Sequence, residues 1–234
     1  AQLAIAEINS SGGVAGHPLE LVSLHSAPDS DVAQANAHAL MDSGVVAIIG
    51  PAFSEIFVDV ARNVTIPAGM LLISPAVTSA AISDIEGDGL IWRTIASDAL
   101  TGSVAGSYAH DRFGSQTAGI LFLDNVFGIG LAAAFEAEFV ARGGQILARE
   151  ALPDLSSTDV ANYDYREHVD FVTSLQPDLL FIATRESAND RITIALQSVF
   201  TDDYRAQILT SANRSNDWLA GTDPTVTQGM RGIL

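Results

Sequence analysis

Cysteine and lysine are both absent from this sequence of 234 residues. Without cysteine, the chain forms no disulfides, zinc–thiolate sites or iron–sulfur clusters, and it performs no thiol catalysis. Without lysine, it has neither a P-loop of the GxxxxGK[ST] type nor a lysine that could form a Schiff base. These two absences exclude several classes of metal and enzyme chemistry before any motif is considered.

Positive charge is also scarce, because 11 basic residues stand against 28 acidic ones and give a formal net charge of −17 at pH 7. A field of this sign repels phosphate backbones, so nucleic acid is not expected as a partner. The acidic surplus is typical of proteins from high-salt habitats or from biased genomes, and the sequence leaves both explanations open.

Long apolar runs are missing too. No run reaches the roughly 18 residues that a helical membrane span needs, so stable membrane insertion is not expected. The chain has no basic segment followed by an apolar stretch at its start, which is the pattern of a signal peptide. This does not assign a compartment, because a mature exported protein has lost its signal. The hydrophobic content of 48% and the mean hydropathy of +0.27 predict a substantial buried core.

Short apolar segments alternate with segments of helical spacing along the chain. Strands are predicted at residues 19–25, 45–49, 69–74, 117–123, 145–150, 178–183, 206–211 and 230–234. Helices are predicted at residues 1–13, 29–44, 54–66, 97–112, 128–144, 164–175 and 188–199. Strands that are apolar throughout and separated by helices predict parallel sheets covered on both faces, and hence the α/β class. The polar segment 110–116 is interpreted as a crossover between two α/β lobes.

The carboxyl ends of four predicted strands carry candidate binding residues, because parallel α/β sheets bind ligands at that edge. The segments that follow these strands are GPAFSE, PAVTSAA, TRESAND and SANRSND. A helix N-terminus offers unpaired N–H groups and a partial positive charge, which suit a carboxylate. Ser54 and Thr78 are each placed to add a hydroxyl to such amides. The alternative is that they only cap helices, since Ser and Thr are preferred N-cap residues.

Enzyme motifs are not found. The segment GIGLAA at 128–133 departs from GxGxxG at Ala133, and no GxSxG elbow occurs. The five histidines are scattered, with no pair three or four residues apart, so a helical metal site is not expected. The sequence therefore predicts a protein without catalytic activity, cofactor or metal. Trp92 is interpreted as a core residue.

An ordered series of segments resembles the type I periplasmic binding proteins, and most closely the leucine/isoleucine/valine-binding group that serves ABC importers. The resemblance covers nearly the whole chain in the right order. Its segments are AIAEINSSGGVAGHPLELV, VVAIIGPAFSEIF, MLLISPAVTSAAIS, IWRTIASDALTGSVAGSYA, ILFLDNVFGIGLAAAFEAEFVARGGQIL and LQPDLLFIAT.

The resemblance implies two Rossmann-like lobes joined by three crossings. Residues 1–113 would form lobe one, residues 114–228 lobe two, and residues 229–234 a strand returning toward lobe one. The family's first strand should precede Ala1, and a C-terminal portion should follow Leu234. The chain is therefore expected to be incomplete at both ends.

The resemblance also assigns ligand contacts. The family's serine and threonine that hold a ligand α-carboxylate match Ser54 and Thr78. The backbone carbonyl that receives the α-ammonium matches Ala76, and the aromatic that stacks on the ligand matches Phe127. The neighbouring Phe53 and Val77 are expected in the same site.

Two positions depart from the family pattern. Arg185 replaces an aromatic residue, and Ala212 lies where an acidic partner for the ammonium is expected. An arginine would suit a second carboxylate on the ligand, bound by two hydrogen bonds. The alternative is a surface ion pair of Arg185 with Glu186 or Asp190.

From these features we predict a periplasmic or otherwise extracytoplasmic solute-binding protein, either free or lipid-anchored. It would close its lobes on a small carboxylate-bearing solute, an amino acid or a related organic acid. The closed form would be presented to the membrane permease of an ABC importer. The alternative is a ligand-sensing domain of a receptor or regulator with the same fold.

Overall fold

A computed structural model describes residues 1–25, 28–155, 157–201, 203–211 and 231–232. The chain divides into two compact units. Unit 1 comprises Ala1–Val77 and Glu86–Thr94, and unit 2 comprises Thr78–Ile85 and Ile95–Leu234. Each unit has its own parallel sheet with helices, which confirms the predicted α/β class.

Unit 1 is built on a three-stranded sheet in the order β1-β2-β3, in which both pairings are parallel. Its strands are β1 (Ala47–Ile49), β2 (Leu71–Ser74) and β3 (Ile91–Arg93). Its helices are α1 (Gln2–Ser10), α2 (Ser30–Asp42) and α3 (Ser54–Val60), and α3 continues into a π-helical turn over Ala61–Thr65.

Unit 2 is built on a five-stranded sheet in the order β5-β4-β6-β7-β8, in which every pairing is parallel. Its strands are β4 (Thr117–Leu123), β5 (Gln145–Leu152), β6 (Leu179–Ala183), β7 (Gln207–Thr210) and β8 (Arg231–Gly232). A 3₁₀ helix spans Ala80–Asp84, and the α-helices are α4 (Asp98–Asp111), α5 (Val126–Ala141), α6 (Ser157–Asn162), α7 (Arg166–Ser174) and α8 (Glu186–Leu196).

The central strand β6 is buried at every residue, because the sheet is covered on both faces. Successive side chains of a strand point to opposite faces. Phe181 accordingly packs in one hydrophobic cluster with Phe135 and Phe139 of α5, whereas Leu180 and Ile182 pack in the other cluster. A strand that is apolar throughout is thus explained by burial on two sides.

Helix α4 packs closely on α5, and glycines make this approach possible. A Cβ atom at Gly102 would lie 2.6 Å from the Cβ of Ala134, and one at Gly106 would lie 2.7 Å from the backbone oxygen of Phe135. This packing places α4 in unit 2. The predicted lobe boundary at residue 113 stays a prediction.

The predicted strand at 19–25 is wrong. These residues adopt no regular structure, and Asn9 instead bonds the backbone of Leu19, accepting from its N–H at 2.7 Å and donating to its carbonyl at 2.9 Å. A strand needs a neighbour to pair its backbone groups. Among the described residues no strand pairs with 19–25. Leu24 of this segment instead lines an apolar cavity of about 230 Å³ together with Ile48 of β1.

The interpretation of Trp92 as a core residue is also wrong. Trp92 lies on β3, a strand that the sequence pattern did not predict, and its side chain is 57% exposed. Its indole N–H donates to the carbonyl of Gly89. In the described part of the chain, no helix combines the length and apolar character that crossing a membrane requires.

Candidate ligand-binding site

The first candidate region in unit 1 is the seam between β1 and α3. Gly50 follows β1 with a φ of 118°, a conformation that glycine adopts without the strain that a side chain would add. Its N–H donates to the carbonyl of Ile73 on β2 at 2.9 Å, and its peptide bond to Pro51 is cis. The glycine therefore allows the chain to turn sharply where the strand ends and the helix approaches.

Ser54 is the first residue of α3 and is 4% exposed. The N-cap position belongs to Phe53, whose side chain cannot accept a hydrogen bond from the helix. Ser54 therefore does not occupy the position in which serine is favoured as a cap. The first-turn amides lie next to it, because α3 and the π-helical turn form a continuous helical segment from Ser54 to Thr65.

Ser74 connects the ends of β1 and β2. It is fully buried at the last position of β2. Its hydroxyl donates to the carbonyl of Pro51 at 2.7 Å and accepts from the N–H of Ala76 at 3.3 Å. These bonds hold the loop that leads to Ser54 beside Ala76, which is exposed, and Val77, which is buried. The sequence analysis missed Ser74, although it ends a predicted strand at the edge where ligands bind.

Thr78 begins the first segment of unit 2 and is partly buried. Its backbone carbonyl accepts from the N–H of Asp98 at the start of α4, at 2.7 Å. The cap of the following 3₁₀ helix is Ser79, whose hydroxyl accepts from the N–H of Ala81 at 3.4 Å. Thr78, like Ser54, is therefore not the capping residue of the helix that follows it.

Ser79 also joins this segment to the start of α5. Its hydroxyl donates to the carbonyl of Val126 at 3.1 Å. The N-cap of α5 is Asn125, whose side-chain oxygen accepts from the N–H of Gly128 at 2.8 Å. Phe127, the second residue of α5, is partly buried against the hydrophobic cluster. The bond of Ser79 to Val126 thus joins the segment that carries Thr78 to the helix that carries Phe127.

Three polar side chains, which we name the edge cluster, lie at the carboxyl ends of β4, β5 and β6. Asp154 accepts from the Nδ2 of Asn125 at 2.8 Å and from the Nη1 of Arg185 at 2.7 Å. The side chains of Arg185 and Asp154 are 30% and 27% exposed. Because β4 lies between β5 and β6, the ion pair spans the end of β4.

The structure thus places Arg185 at the predicted strand end but gives it Asp154 as a partner. Neither Asn125 nor Asp154 was predicted, and the side chains of Glu186 and Asp190, the partners considered from the sequence, lie outside the described part of the structure. The rule that ligands bind at the carboxyl ends of parallel strands could have identified Asn125 and Asp154. Each residue follows a predicted strand whose carboxyl end was not considered. Ala212 lies outside the described residues.

No metal site is evident in the part of the chain that the structure describes, where no three histidine or acidic side chains converge in a way that could hold an ion.

Comparison with known proteins is informative at this point. A sequence profile of the family described as "Periplasmic binding protein" matches residues 1–233. The leucine-, isoleucine-, valine-, threonine-, and alanine-binding protein of Pseudomonas aeruginosa is 32% identical over 152 residues, which cover 65% of this chain and 40% of that protein. The substrate-binding protein BasB of a chemotactic signal transduction system in Halobacterium salinarum is 31% identical over 136 residues, covering 55% of this chain and 32% of BasB.

Among solved structures, an ABC transporter substrate-binding protein from Desulfitobacterium hafniense in complex with Leu is similar, with a TM-score of 0.73 and 27% identity. The similarity covers 90% of this chain and 60% of that one. The matched part thus spans between about a third and three fifths of the length of these relatives.

Proposed function

This chain belongs to the periplasmic binding protein family, and from that premise we propose that it is a solute-binding protein without catalytic activity. The solute is a small molecule that carries a carboxylate, either an amino acid or a related organic acid. The names of the relatives support this class, since the Pseudomonas protein is named for five amino acids and the Desulfitobacterium protein was solved with Leu.

The observation that carries the proposal is the placement of two hydroxyl residues. Ser54 and Thr78 each stand at the start of a helical segment, yet Phe53 and Ser79 hold the N-cap positions. Neither residue therefore holds the N-cap position itself. A hydroxyl beside backbone N–H groups can bind a carboxylate without a counter-charge, because these donors replace the water that the anion loses.

The remaining residues have proposed roles in the same site. The carbonyl of Ala76 would accept from an ammonium, Phe53 and Val77 would supply apolar contact, and Phe127 would cover an apolar part of the solute. Arg185 would donate to a second polar group of the solute. Ala212, outside the described residues, is proposed as a further contact.

The cellular role follows from the family and is part of the proposal. The protein would act outside the cytoplasm, either free or lipid-anchored, and would deliver its solute to the permease of an ABC importer. Binding would favour a closed conformation that the permease recognises. No cofactor and no nucleic acid is involved.

A sensing role is the second candidate. The relative BasB in Halobacterium salinarum is named as the substrate-binding protein of a chemotactic signal transduction system. A solute-binding protein of this kind would present its closed form to a receptor instead of a permease. Both roles require the same solute site, and the identity of the membrane partner distinguishes them.

A thermal-shift screen tests the proposed function. The protein would be heated with branched-chain amino acids, polar amino acids, dicarboxylates and aromatic acids, each at saturating concentration. A solute at about 100 times its dissociation constant stabilises the folded state by about 2.7 kcal/mol, which is a shift of several degrees.

The matched variants are Ser54→Ala and Ser107→Ala, each of which removes one hydroxyl. Ser107 is partly buried on α4, and among the described residues its hydroxyl bonds to the carbonyl of Val104 in the same helix, at 2.9 Å. We expect Ser54→Ala to lose about half of the shift or more and Ser107→Ala to keep it. If no carboxylate in the panel stabilises the wild-type protein, the proposed function is wrong.

A further inference from the structure

We propose that Asp154 is a specificity-determining residue, which makes the edge cluster favour solutes with a neutral polar group over solutes with a second carboxylate. The inference rests on the proposed function and concerns the same site. It starts from the ion pair between Asp154 and Arg185, which a consideration of Arg185 alone would not reveal.

The position of the pair places it at the edge where a solute would bind. Asp154 follows β5, Arg185 follows β6, and their bond crosses the carboxyl end of β4, which lies between them. Parallel α/β sheets bind ligands at this edge. A solute group that reaches Arg185 therefore also comes close to Asp154.

Charge then decides which group can be accommodated. Arg185 alone would attract a carboxylate and bind it with two parallel hydrogen bonds. With Asp154 2.7 Å from its Nη1, the guanidinium is already neutralised by a carboxylate. A second carboxylate would meet the like charge of Asp154 at close range, which disfavours its binding. A hydroxyl or amide adds no charge and can both donate to Asp154 and accept from Arg185.

Asn125 keeps Asp154 from turning away. Its Nδ2 donates to Asp154 at 2.8 Å, while its own side-chain oxygen is held by the N–H of Gly128 in the first turn of α5. Rotating Asp154 to make room for a solute carboxylate would break this bond as well as the ion pair. Asn125 thus holds Asp154 in its ion pair with Arg185.

The test compares two pairs of probes by isothermal titration calorimetry. Glutamine and glutamate differ by an amide against a carboxylate, and 4-hydroxybenzoate and terephthalate differ by a hydroxyl against a carboxylate. For each pair, the affinity ratio of the neutral to the charged member is measured. We expect the wild-type protein to prefer the neutral member of at least one pair.

The key variant is Asp154→Asn, which removes the charge and keeps the shape. We expect it to shift the ratio toward the charged member by about tenfold or more, within the range of coupling between neighbouring groups. Asp154→Ser is a second uncharged variant, in case the asparagine variant folds poorly, and circular dichroism checks both. Adding Arg185→Gln to Asp154→Asn should remove the gain, because the carboxylate then has no guanidinium to bind.

Asp124→Asn is the matched control. Asp124 follows β4 at the same sheet edge and is exposed, and among the described residues its side chain has no hydrogen-bond or ion-pair partner. The Asp124→Asn variant removes the same charge as Asp154→Asn without affecting the ion pair of Arg185. Its affinity ratio of neutral to charged probe should therefore stay near that of the wild type.

The outcomes separate the inference from the proposed function. If a neutral probe binds and Asp154→Asn leaves the ratio unchanged, or if Asp124→Asn changes it equally, the role of Asp154 is overturned and the solute site stands. If the wild-type protein prefers the charged member of every pair that it binds, the role is also overturned. If no probe and no carboxylate of the thermal-shift panel binds, the proposed function fails and the inference with it.

Discussion

The carboxyl edges of the two sheets are built from different chemistry. In unit 1, Ser54 follows the end of β1, and the hydroxyl of Ser74 at the end of β2 bonds the backbone of Pro51 and Ala76. In unit 2, the ends of β4, β5 and β6 carry the edge cluster of Asn125, Asp154 and Arg185. Two sheets of the same parallel type therefore offer an uncharged hydroxyl edge and a charged, internally paired edge.

This difference separates two tasks in binding. Hydroxyls and helix-start amides can hold any carboxylate, because they act on a group that all solutes of the class share. A paired acid and base instead sort solutes by the charge of their variable part. The first edge is thus suited to affinity and the second to discrimination.

The two sheets also differ in how deeply their strands are buried. Every residue of β6 is buried in unit 2, whereas Ile49 at the end of β1 in unit 1 is 65% exposed. The second edge therefore rests on a packed core, which restricts how far its polar groups can move.

The largest effect on the free energy of unfolding is expected from a substitution in the hydrophobic core of unit 2. Phe181 is fully buried and stacks on Phe135 with ring centroids 4.1 Å apart. Phe181→Ala should lower the free energy of unfolding by about 3–5 kcal/mol, through lost burial and the cavity left behind. Ile49→Ala, at an exposed strand position, should change it by less than about 1 kcal/mol. Equal losses in urea denaturation would contradict the contrast between the two sheets.

A smaller but clear effect is expected at the start of α5. A Cβ atom at Gly128 would lie 2.2 Å from the backbone oxygen of Leu123, whereas one at Gly130 would lie 3.8 Å from its nearest neighbour, the hydroxyl of Ser79. Gly128→Ala should therefore destabilise the protein by about 1–3 kcal/mol. Gly130→Ala should be neutral or stabilise by about 0.5–1 kcal/mol, because alanine favours the helix. Thermal unfolding of both variants checks the opposite signs.

Removal of the cap should have a moderate effect. Asn125→Ala loses the bond to Gly128 and the bond to Asp154, and we expect a cost of about 1 kcal/mol. Asn125→Ser keeps an oxygen that can cap the helix but lacks the amide nitrogen that donates to Asp154. It should recover most of the stability without restoring the preference for neutral solutes. A serine variant with wild-type discrimination would show that Asn125 does not position Asp154.

The smallest effect concerns Asp178, at the amino-terminal edge of the second sheet. Burial raises the pKa of Asp178, but hydrogen bonds from the N–H groups of Gln116 and Thr117, both 2.9 Å long, outweigh it and lower the pKa below its usual 3.8. A lowered folded-state pKa stabilises the fold above the unfolded value, and this stabilisation is lost as pH falls through the folded value.

Asp178→Asn should therefore cost about 0.5 kcal/mol at pH 7, because this acid is exposed and screened. The difference in free energy of unfolding between Asp178→Asn and the wild type should disappear as pH falls below 3.8. A gap for Asp178→Asn that persists at low pH would contradict the role of its charge.

The fold was largely readable from the sequence where strands are buried on two sides. The apolar run at 117–123 coincides with β4, because such a run is typical of a strand covered on both faces. The segment 19–25 was also predicted as a strand but has no strand partner among the described residues, and pairing cannot be read from one segment alone. The short strand β3 was missed because its burial pattern has no fully buried residue.

The candidate site shows a similar limit. Arg185 could be placed at a strand end because that position depends on local sequence. Its partner Asp154 lies 31 residues away and becomes its neighbour only through the strand order β5-β4-β6. A discrimination device that depends on sheet order cannot be predicted before that order is known.

The most direct test of the account is a calorimetric titration of the wild-type protein and Ser54→Ala with the best solute from the thermal-shift screen. The account predicts saturable binding of one solute per chain, weakened about tenfold or more in the variant through loss of a hydrogen bond to a charged group. No binding by the wild type, or equal affinities for both proteins, would contradict the claim that the hydroxyl edge holds a carboxylate.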